Sequence, residues 1–255
     1  MNLSYRLLYV WKRNLTAYKR FVIPTVLVSL GEPFFYLIAM GLGLGSYMGL
    51  FGGVSYLKFL APGLIAASCM MASTFECLYD SYVRMMIEKI YSSLIVTPIS
   101  AEDIVAGDIA WGAFRGMLSG SLMFVVAALL GAVPVSIPIL LQLFALLFIV
   151  GLTFASMAMI ITAFAPNFDF FTYYTELFIS PMFFFSGVFF PLDQMPGWVR
   201  IASELLPLTH AARISHSIFS GSYSAGAWYD IFFLLATFSA AFYFAVFFMK
   251  RRLIK

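Results

Sequence analysis

Charged side chains are scarce in this sequence. Of its 255 residues, 11% are Asp, Glu, Lys or Arg, whereas 62% are hydrophobic and 18% aromatic. A water-soluble domain carries about 25% charged residues, so this composition excludes an ordinary soluble fold. The net charge of +3 is not gathered on a soluble module, which excludes a nucleic-acid-binding domain.

Residues that could carry chemistry are equally sparse. No lysine is followed by serine or threonine, so the chain lacks the phosphate loop of nucleotide-driven motors. Cys69 and Cys77 fall in one apolar run, about 12 Å apart along a helix, which is beyond disulfide reach. His210 and His216 have poor metal-ligand spacing, and no serine elbow or HExxH motif accompanies them. The sequence therefore predicts no enzyme active site, no metal site and no cofactor on this chain.

Long apolar runs are what the sequence does contain. Runs close to twenty residues, the length that crosses a bilayer as a helix, recur along the chain. They predict an all-α integral membrane protein with six spans in a single domain, residues 1–255. The predicted spans are 21–45, 59–80, 101–131, 139–164, 170–190 and 228–249.

The segments outside these runs are amphipathic. Residues 1–20 place apolar side chains on one helical face and basic ones on the other, which is typical of a helix lying in the membrane interface. A helix packed on another domain is the alternative. Residues 191–227 contain two helices too short to span, which predicts re-entrant or surface helices on the outer side. Eleven Lys and Arg residues lie in the two termini and the 81–100 segment, and three lie in the segments on the opposite side of the membrane. By the positive-inside rule, this predicts that both termini are cytoplasmic.

Residues 81–100 form the most distinctive polar segment. The first half has helical spacing and must end at Thr97-Pro98, because proline disfavours helical geometry in the residue before it. Ser100 then restarts the chain as a helix, with its hydroxyl as N-cap and two acidic residues at the positive end of the helix dipole. This predicts a stiff lever between two spans, on which a separate motor protein can push.

Two charges fall near the middle of predicted spans. Glu32 in the first span and Arg115 in the third both lie about 15 Å from the cytoplasmic side. An intramembrane charge is costly unless it is paired or hydrated, so we expect these two residues to face each other or a shared hydrated cavity. The pair either fixes the packing of the spans or lies on the substrate path. Glu76, Asp80 and Glu176 lie nearer the cytoplasmic ends, where we expect water to reach them.

Two further patterns concern packing. Glycines recur every four residues in the third span and make a smooth stripe, for internal packing or a subunit interface. These glycines are Gly112, Gly116 and Gly120. The fifth span is dense in aromatic rings, which either fill the core and face lipid or form a wall for acyl chains and sugars. The candidate substrate-path residues in it are Phe171, Tyr174, Phe178 and Phe184.

Several stretches resemble one family. They are GEPFFYLIAMGLGLG (31–45), FECLYDSYVRM (75–85), LIVTPISAEDIVAGDIAWGAFRG (94–116) and DFFTYYTELFISPMFFFSGVFFPLDQMP (169–196). The chain resembles the permease subunits of type V ABC exporters, most closely the nodulation-factor lipooligosaccharide exporter permeases. The VTPIS corner followed by an acidic helix start is the most specific element. Cys77-Leu78 departs from the small residues typical of relatives.

The resemblance implies a fold and an assembly. It implies an amino-terminal interface helix, six spans, a cytoplasmic coupling helix within 81–100 and short outer helices within 191–227. It also implies a permease homodimer in a bacterial inner membrane, bound to two copies of a separate ATPase that holds ATP and Mg. The substrate implied is an amphipathic lipid-linked saccharide or glycolipid. The implied ATPase contacts are Arg84, Met85, Glu88, Lys89, Tyr91, Thr97 and Pro98.

Other functions stay open on the sequence alone. A self-sufficient secondary transporter or channel would use the Glu32–Arg115 pair as its gate, although no inverted repeat is visible. An intramembrane enzyme is disfavoured by the lack of a nucleophile–base pair. The family also includes teichoic-acid, O-antigen and drug exporters, so the cargo is not decided.

Overall fold

A computed structural model describes residues 4–19, 31, 34–48, 50–51, 53–222 and 226–254. Within these residues the chain is mostly helical, as expected where backbone N–H and C=O groups must be satisfied within one segment. The strands described there form one two-residue ribbon, Leu50–Phe51 paired antiparallel with Val54–Ser55. The helical content agrees with the predicted all-α membrane class.

In chain order the helices are α1 (Leu7–Tyr18), α2 (Phe34–Tyr47), α3 (Tyr56–Ile87), α4 (Ile90–Ile95), α5 (Ala101–Leu129), α6 (Ile137–Phe164), α7 (Asp169–Tyr174), α8 (Ser180–Phe185), α9 (Gly197–Ser203), α10 (Pro207–Ser220) and α11 (Ala227–Leu253). A π-helical turn, Thr175–Ile179, joins α7 to α8. Among the described residues, α3, α5, α6 and α11 are long and apolar enough to cross a membrane.

The predicted first and fifth spans differ from the others. The first, 21–45, falls largely outside the described residues, and its described part belongs to α2. The fifth, predicted as 170–190, is helical from Asp169 to Phe185. It ends early because Gly187 has a φ of 78°, a left-handed conformation that a helix does not continue through.

Helix α3 is longer than predicted. The sequence indicated a span ending at residue 80 and a separate coupling helix after it. Instead α3 continues to Ile87 through two π-helical turns, Glu76–Asp80 and Val83–Ile87. The chain breaks at Lys89, whose φ of 52° is left-handed, and this break turns the Tyr91 ring back into the bundle. The lever is therefore made of the end of α3, the short α4 and the Thr97-Pro98 corner.

The prediction that a new helix starts at Ser100 is confirmed. The Ser100 hydroxyl accepts the backbone N–H of Asp103 at 3.0 Å, and the Asp103 carboxylate accepts the N–H of Ser100 at 3.3 Å. This reciprocal capping box satisfies two otherwise free donors and begins α5 at a fixed point.

The glycine stripe of α5 serves internal packing. A Cβ at Gly112 would lie 2.6 Å from Cys77 Sγ, and one at Gly116 would lie 2.7 Å from the Cys69 carbonyl oxygen. A Cβ at Gly120 would lie 2.7 Å from Leu147 on α6. Helices α3, α5 and α6 therefore approach each other closely along this stripe and form the centre of the bundle.

Helix α1 packs on α5 through its apolar face. Val10 is buried, and a Cβ at Gly107 would lie 2.7 Å from Val10 Cβ. The Trp11 ring meets Trp111 edge-on, with centroids 6.1 Å apart. The apolar face of α1 is therefore partly covered by α5, and the placement of α1 in the membrane interface stays a prediction.

We expect Gly116→Ala to destabilise the fold by about 1–3 kcal/mol, because the added methyl meets rigid backbone of α3. Gly43→Ala is the matched control, since a Cβ there meets no atom within 4 Å. Thermal unfolding of the two variants in one detergent measures the difference. Equal melting temperatures would contradict the close packing of α5 on α3.

Candidate functional site

A cluster of buried ion pairs lies where α1, the end of α3, α4 and the start of α5 meet. Its acidic members, Glu76 and Asp108, are 4% and 0% exposed. Arg84 bridges them, with Nη1 2.9 Å from Glu76 Oε1 and Nε 3.3 Å from Asp108 Oδ2. Because a buried carboxylate is costly without a countercharge, Arg84 ties the end of α3 to α5.

Glu76 accepts two more hydrogen bonds, both from α5. Trp111 Nε1 donates to Oε1 at 2.8 Å, and Arg115 Nε donates to Oε2 at 3.1 Å. The Arg115 guanidinium also lies over the Tyr18 ring of α1, 4.4 Å from its centroid. We call Glu76, Arg84, Asp108 and Arg115 the hub.

Asp108 holds four segments together. Asn14 of α1 donates to Oδ1 at 2.6 Å, and Ser81 donates to Oδ2 at 3.3 Å. The Tyr91 hydroxyl of α4 donates to Oδ2 as well. Burial raises the pKa of the Tyr91 phenol well above its ordinary value, and the Asp108 charge raises it further. Tyr91 therefore stays neutral and remains a donor to this carboxylate.

A second buried polar cluster lies at the other end of the bundle. Its helix, α10, is held to the start of α3 by a hydrogen bond from Ser215 Oγ to the Pro62 carbonyl at 2.8 Å. His210 Nδ1 lies 2.6 Å from Asp230 Oδ1, and its Nε2 lies 3.0 Å from the Glu204 carbonyl. Arg213 donates to the same Asp230 oxygen at 2.9 Å. Both ring nitrogens of His210 therefore face oxygen atoms, and Asp230 joins the start of α11 to α10.

A family model described as the ABC-2 type transporter matches residues 5–220. The chain belongs to the ABC-2 type transporter family. It is 41% identical to nodulation protein J of Rhizobium meliloti (strain 1021) over 214 residues, 84% of this chain and 80% of that protein. It is 41% identical to nodulation protein J of Rhizobium leguminosarum bv. trifolii over 213 residues, 83% and 80% of the two chains. The inner membrane transport permease YadH of Escherichia coli (strain K12) is 25% identical over 201 residues, 79% and 77% of the two chains.

These similarities confirm the predicted resemblance to ABC exporter permeases and to nodulation proteins. The chain is an ABC-2 transport permease, and its long apolar helices fit an integral membrane protein.

The predicted ATPase contacts of this ABC-2 permease divide into two groups. Arg84, Met85 and Tyr91 face the interior, and the Arg84 side chain is only 12% exposed. The structure thus corrects the expectation that Arg84 is a polar contact on the surface, because its guanidinium is engaged by the hub. The predicted contacts that are exposed are Glu88, Lys89, Thr97 and Pro98.

Sequence reasoning missed the exposed apolar residues beside this corner. Met86 and Ile87 end α3 with exposed side chains, and Val96 is 87% exposed. Apolar side chains next to a polar turn were the signal that could have identified them. It also missed Asn14, Asp108 and Trp111 as partners in the hub, since no local spacing links them.

The predicted intramembrane charges have mixed outcomes. In this ABC-2 permease, Arg115 forms an ion pair with Glu76. Glu32 lies outside the described residues, so the Glu32–Arg115 contact stays a prediction. Glu76 is 4% exposed because α1 and α5 cover it, but it lines a cavity of about 610 Å³ together with Asp80 and Arg115. Asp80 and Glu176 are exposed on the surface of the chain.

The four candidate substrate-path residues fall into a buried pair and an exposed pair. Phe171 and Tyr174 are buried, with Phe171 packed edge-on against Tyr82 at 5.3 Å. Phe178 and Phe184 are exposed on the surface of α7–α8 and its π-helical turn. In this permease only the latter pair is placed to contact a molecule outside the chain.

We expect Asp108→Asn to lower the free energy of unfolding by about 3–5 kcal/mol, because it leaves Arg84 with a weakened countercharge inside the protein. Asp193→Asn is the control, since that carboxylate is 84% exposed and lies 3.6 Å from Arg200. The control should change the free energy by about 0.5 kcal/mol or less. Thermal unfolding in detergent compares the two, and a similar loss in both would refute the structural role of Asp108.

A double-mutant cycle identifies the partner of Arg115. We expect Glu76→Gln and Arg115→Gln to be coupled by about 0.5–3 kcal/mol, because their charges contact each other. The same cycle with Glu32→Gln and Arg115→Gln tests the sequence prediction. Coupling confined to Glu32 would overturn the assignment of Glu76 as partner.

Proposed function

We propose that this permease is the membrane subunit of an ATP-driven exporter of an amphipathic lipid-linked saccharide or glycolipid. The observation that carries the proposal is the attachment of the exposed corner at residues 88–98 to α5 through the hub. A push on this corner is transmitted to the long helices because its Tyr91 is bonded to Asp108.

The corner is also fixed at its carboxy-terminal end, by the residues that precede α1. Arg6 donates to the Pro98 carbonyl, and the backbone N–H of Ser4 donates to Asp103 at 2.7 Å. The capping box of Ser100 then continues directly into α5. Displacement of the corner therefore moves α1 and α5 with it, which is how a lever between two helices works.

The surface of the corner suits a protein partner. Exposed apolar residues, Ile87 and Val96, flank the polar Glu88, Lys89 and Thr97. Apolar anchors surrounded by polar groups are typical of protein interfaces. The chain lacks a phosphate loop, so we assign ATP and Mg to this partner, an ATPase present in two copies on a permease homodimer.

The orientation follows from the distribution of basic residues. The corner and both termini carry most of the Lys and Arg residues, which places them in the cytoplasm by the positive-inside rule. A bacterial inner membrane is supported by the similarity to an inner membrane transport permease. The substrate then leaves from the cytoplasm or inner leaflet towards the end that carries α10.

An amphipathic substrate is supported by the resemblance to nodulation-factor exporters and by the exposed aromatic side of α7–α8. Tyr173, Leu177 and Phe178 are exposed together there. We assign Phe178 and Phe184 to the wall that contacts the apolar part of the substrate, and the surrounding membrane lipid supplies the entry route.

A self-sufficient transporter gated by Arg115 is less consistent with the structure. Arg115 is bonded to Glu76 and stacked on Tyr18, so its charge is used in packing. Gating by this residue would require both contacts to break in every cycle, at several kcal/mol.

We expect Val96→Asp to reduce co-purification of the ATPase at least tenfold, because a charge replaces an apolar anchor of the interface. The permease itself should melt at the same temperature, since Val96 is exposed. The measurement is the ratio of ATPase to permease after affinity purification from the native membrane.

Val135→Asp is the matched control, because Val135 is a 63% exposed valine in the turn at the other end of α5. It should leave the ratio unchanged. Equal loss with both variants would show that the corner is not the contact. Substrate transport by the permease alone in liposomes would sink the whole proposal.

A further inference from the structure

A cavity of about 390 Å³ lies at the end of the bundle away from the hub, between the start of α3, the loop 186–193 and α10. The Phe59 ring lines it and is stacked on His216, with centroids 5.0 Å apart and planes at 28°. Its volume falls within the range of small-molecule pockets, about 300–1,000 Å³.

Two of the residues that line this cavity each carry a buried polar atom with no hydrogen-bond partner among the described residues. These atoms are Thr209 Oγ1 and His216 Nε2. Thr209 is 1% exposed, and burial lowers the pKa of His216 to about 4, so this ring is neutral at physiological pH. A buried polar atom without a partner is costly, so a small adjustment that brings either atom into contact with a hydroxyl in the cavity would be favourable.

The unpaired atoms share one face of α10. Thr209, Arg213 and His216 follow the i, i+4, i+7 spacing that aligns side chains along a helix. A ligand lying along this face can therefore meet the hydroxyl and the imidazole at once.

The charges around the cavity are already neutralised. Arg213 lies 2.6 Å from Glu204, and Arg200 lies 3.6 Å from Asp193. Because each cation has its own carboxylate, the cavity does not select a charged ligand. An acyl chain would leave Thr209 and the imidazole unpaired. A neutral, hydroxyl-rich ligand with an apolar face fits both requirements.

We propose that this cavity binds a sugar ring of the exported substrate. The C–H face of the ring packs against Phe59, and its hydroxyls pair with Thr209 Oγ1 and His216 Nε2. This inference rests on the proposed function, in which the end that carries α10 is the exit, and it names where the saccharide part is held.

The test uses the two histidines of the chain as reporters. Full-length permease with ¹⁵N,¹³C-labelled histidine, in lipid nanodiscs, is titrated with cellotetraose, maltotetraose and N-acetylchitotetraose. We expect at least one of these oligosaccharides to shift the His216 ring signals saturably. His210 is the internal reference, because its ring nitrogens are bonded to Asp230 and to the Glu204 carbonyl.

Thr209→Val should weaken this binding about tenfold, because it removes one hydrogen bond and keeps the shape. Thr172→Val, on the exposed side of α7, is the matched control and should leave the midpoint unchanged. In His216→Phe, which keeps a ring against Phe59, saturation transfer to the oligosaccharide should also weaken.

Three results would each overturn the proposal. One is that no oligosaccharide shifts His216 more than glycerol does at equal hydroxyl concentration, which indicates a water-filled void. Another is a stronger response to inorganic phosphate, which indicates an anion site. The last is equal binding by the Thr209 and Thr172 variants. The measurement needs neither ATP nor a partner, so its failure is separable from loss of the ATPase contact at Val96.

Discussion

The carboxylate of Asp108 is the group on which the amino-terminal end of the bundle depends. It is fully buried and accepts hydrogen bonds from three segments besides its own, α1, α3 and α4. Removing such a charge from water costs several kcal/mol, which only a complete set of donors offsets. Each segment therefore loses stability if it moves away alone. The constraint makes α1, the end of α3, the corner and α5 a single mechanical unit.

The two ends of the molecule are built on the same electrostatic scheme. The hub combines two carboxylates with two arginines, and the cluster on α10 combines Glu204 and Asp230 with Arg213 and His210. In each set the buried carboxylate lies against an arginine, so its charge is compensated in a medium of low dielectric. Between them, α3, α5 and α6 are in close contact along the glycine stripe. Such a bundle transmits motion by rotating as a body more readily than by bending.

The sequence predicted what local rules determine. The Ser100 cap, the glycine stripe and the positions of α5, α6 and α11 each depend on neighbouring residues, and the structure contains them. The partners in the hub could not be predicted, because Glu76 and Arg115 are separated by 39 positions and several carboxylates were available. The π-helical turns of α3 were also missed. They shift the register of later side chains, including Arg84, and hydropathy carries no signal for them.

The course of α1 changes the depth at which the hub must lie. Ser4, before α1, contacts Asp103 near the start of α5, and Tyr18 at the end of α1 contacts Arg115 further along α5. Helix α1 therefore runs beside α5 in the same direction. Helix α5 has 29 residues and is about 44 Å long, whereas the apolar core of a bilayer is about 30 Å thick. Lys12 on α1 and Lys19 just after it are exposed, and basic side chains favour water or lipid head groups, so we assign the excess length of α5 to this end. In the proposed orientation, with this end in the cytoplasm, Arg115 lies near the boundary of the apolar core. A charged hub at that depth is joined to the proposed contact surface and is covered on one side by α1.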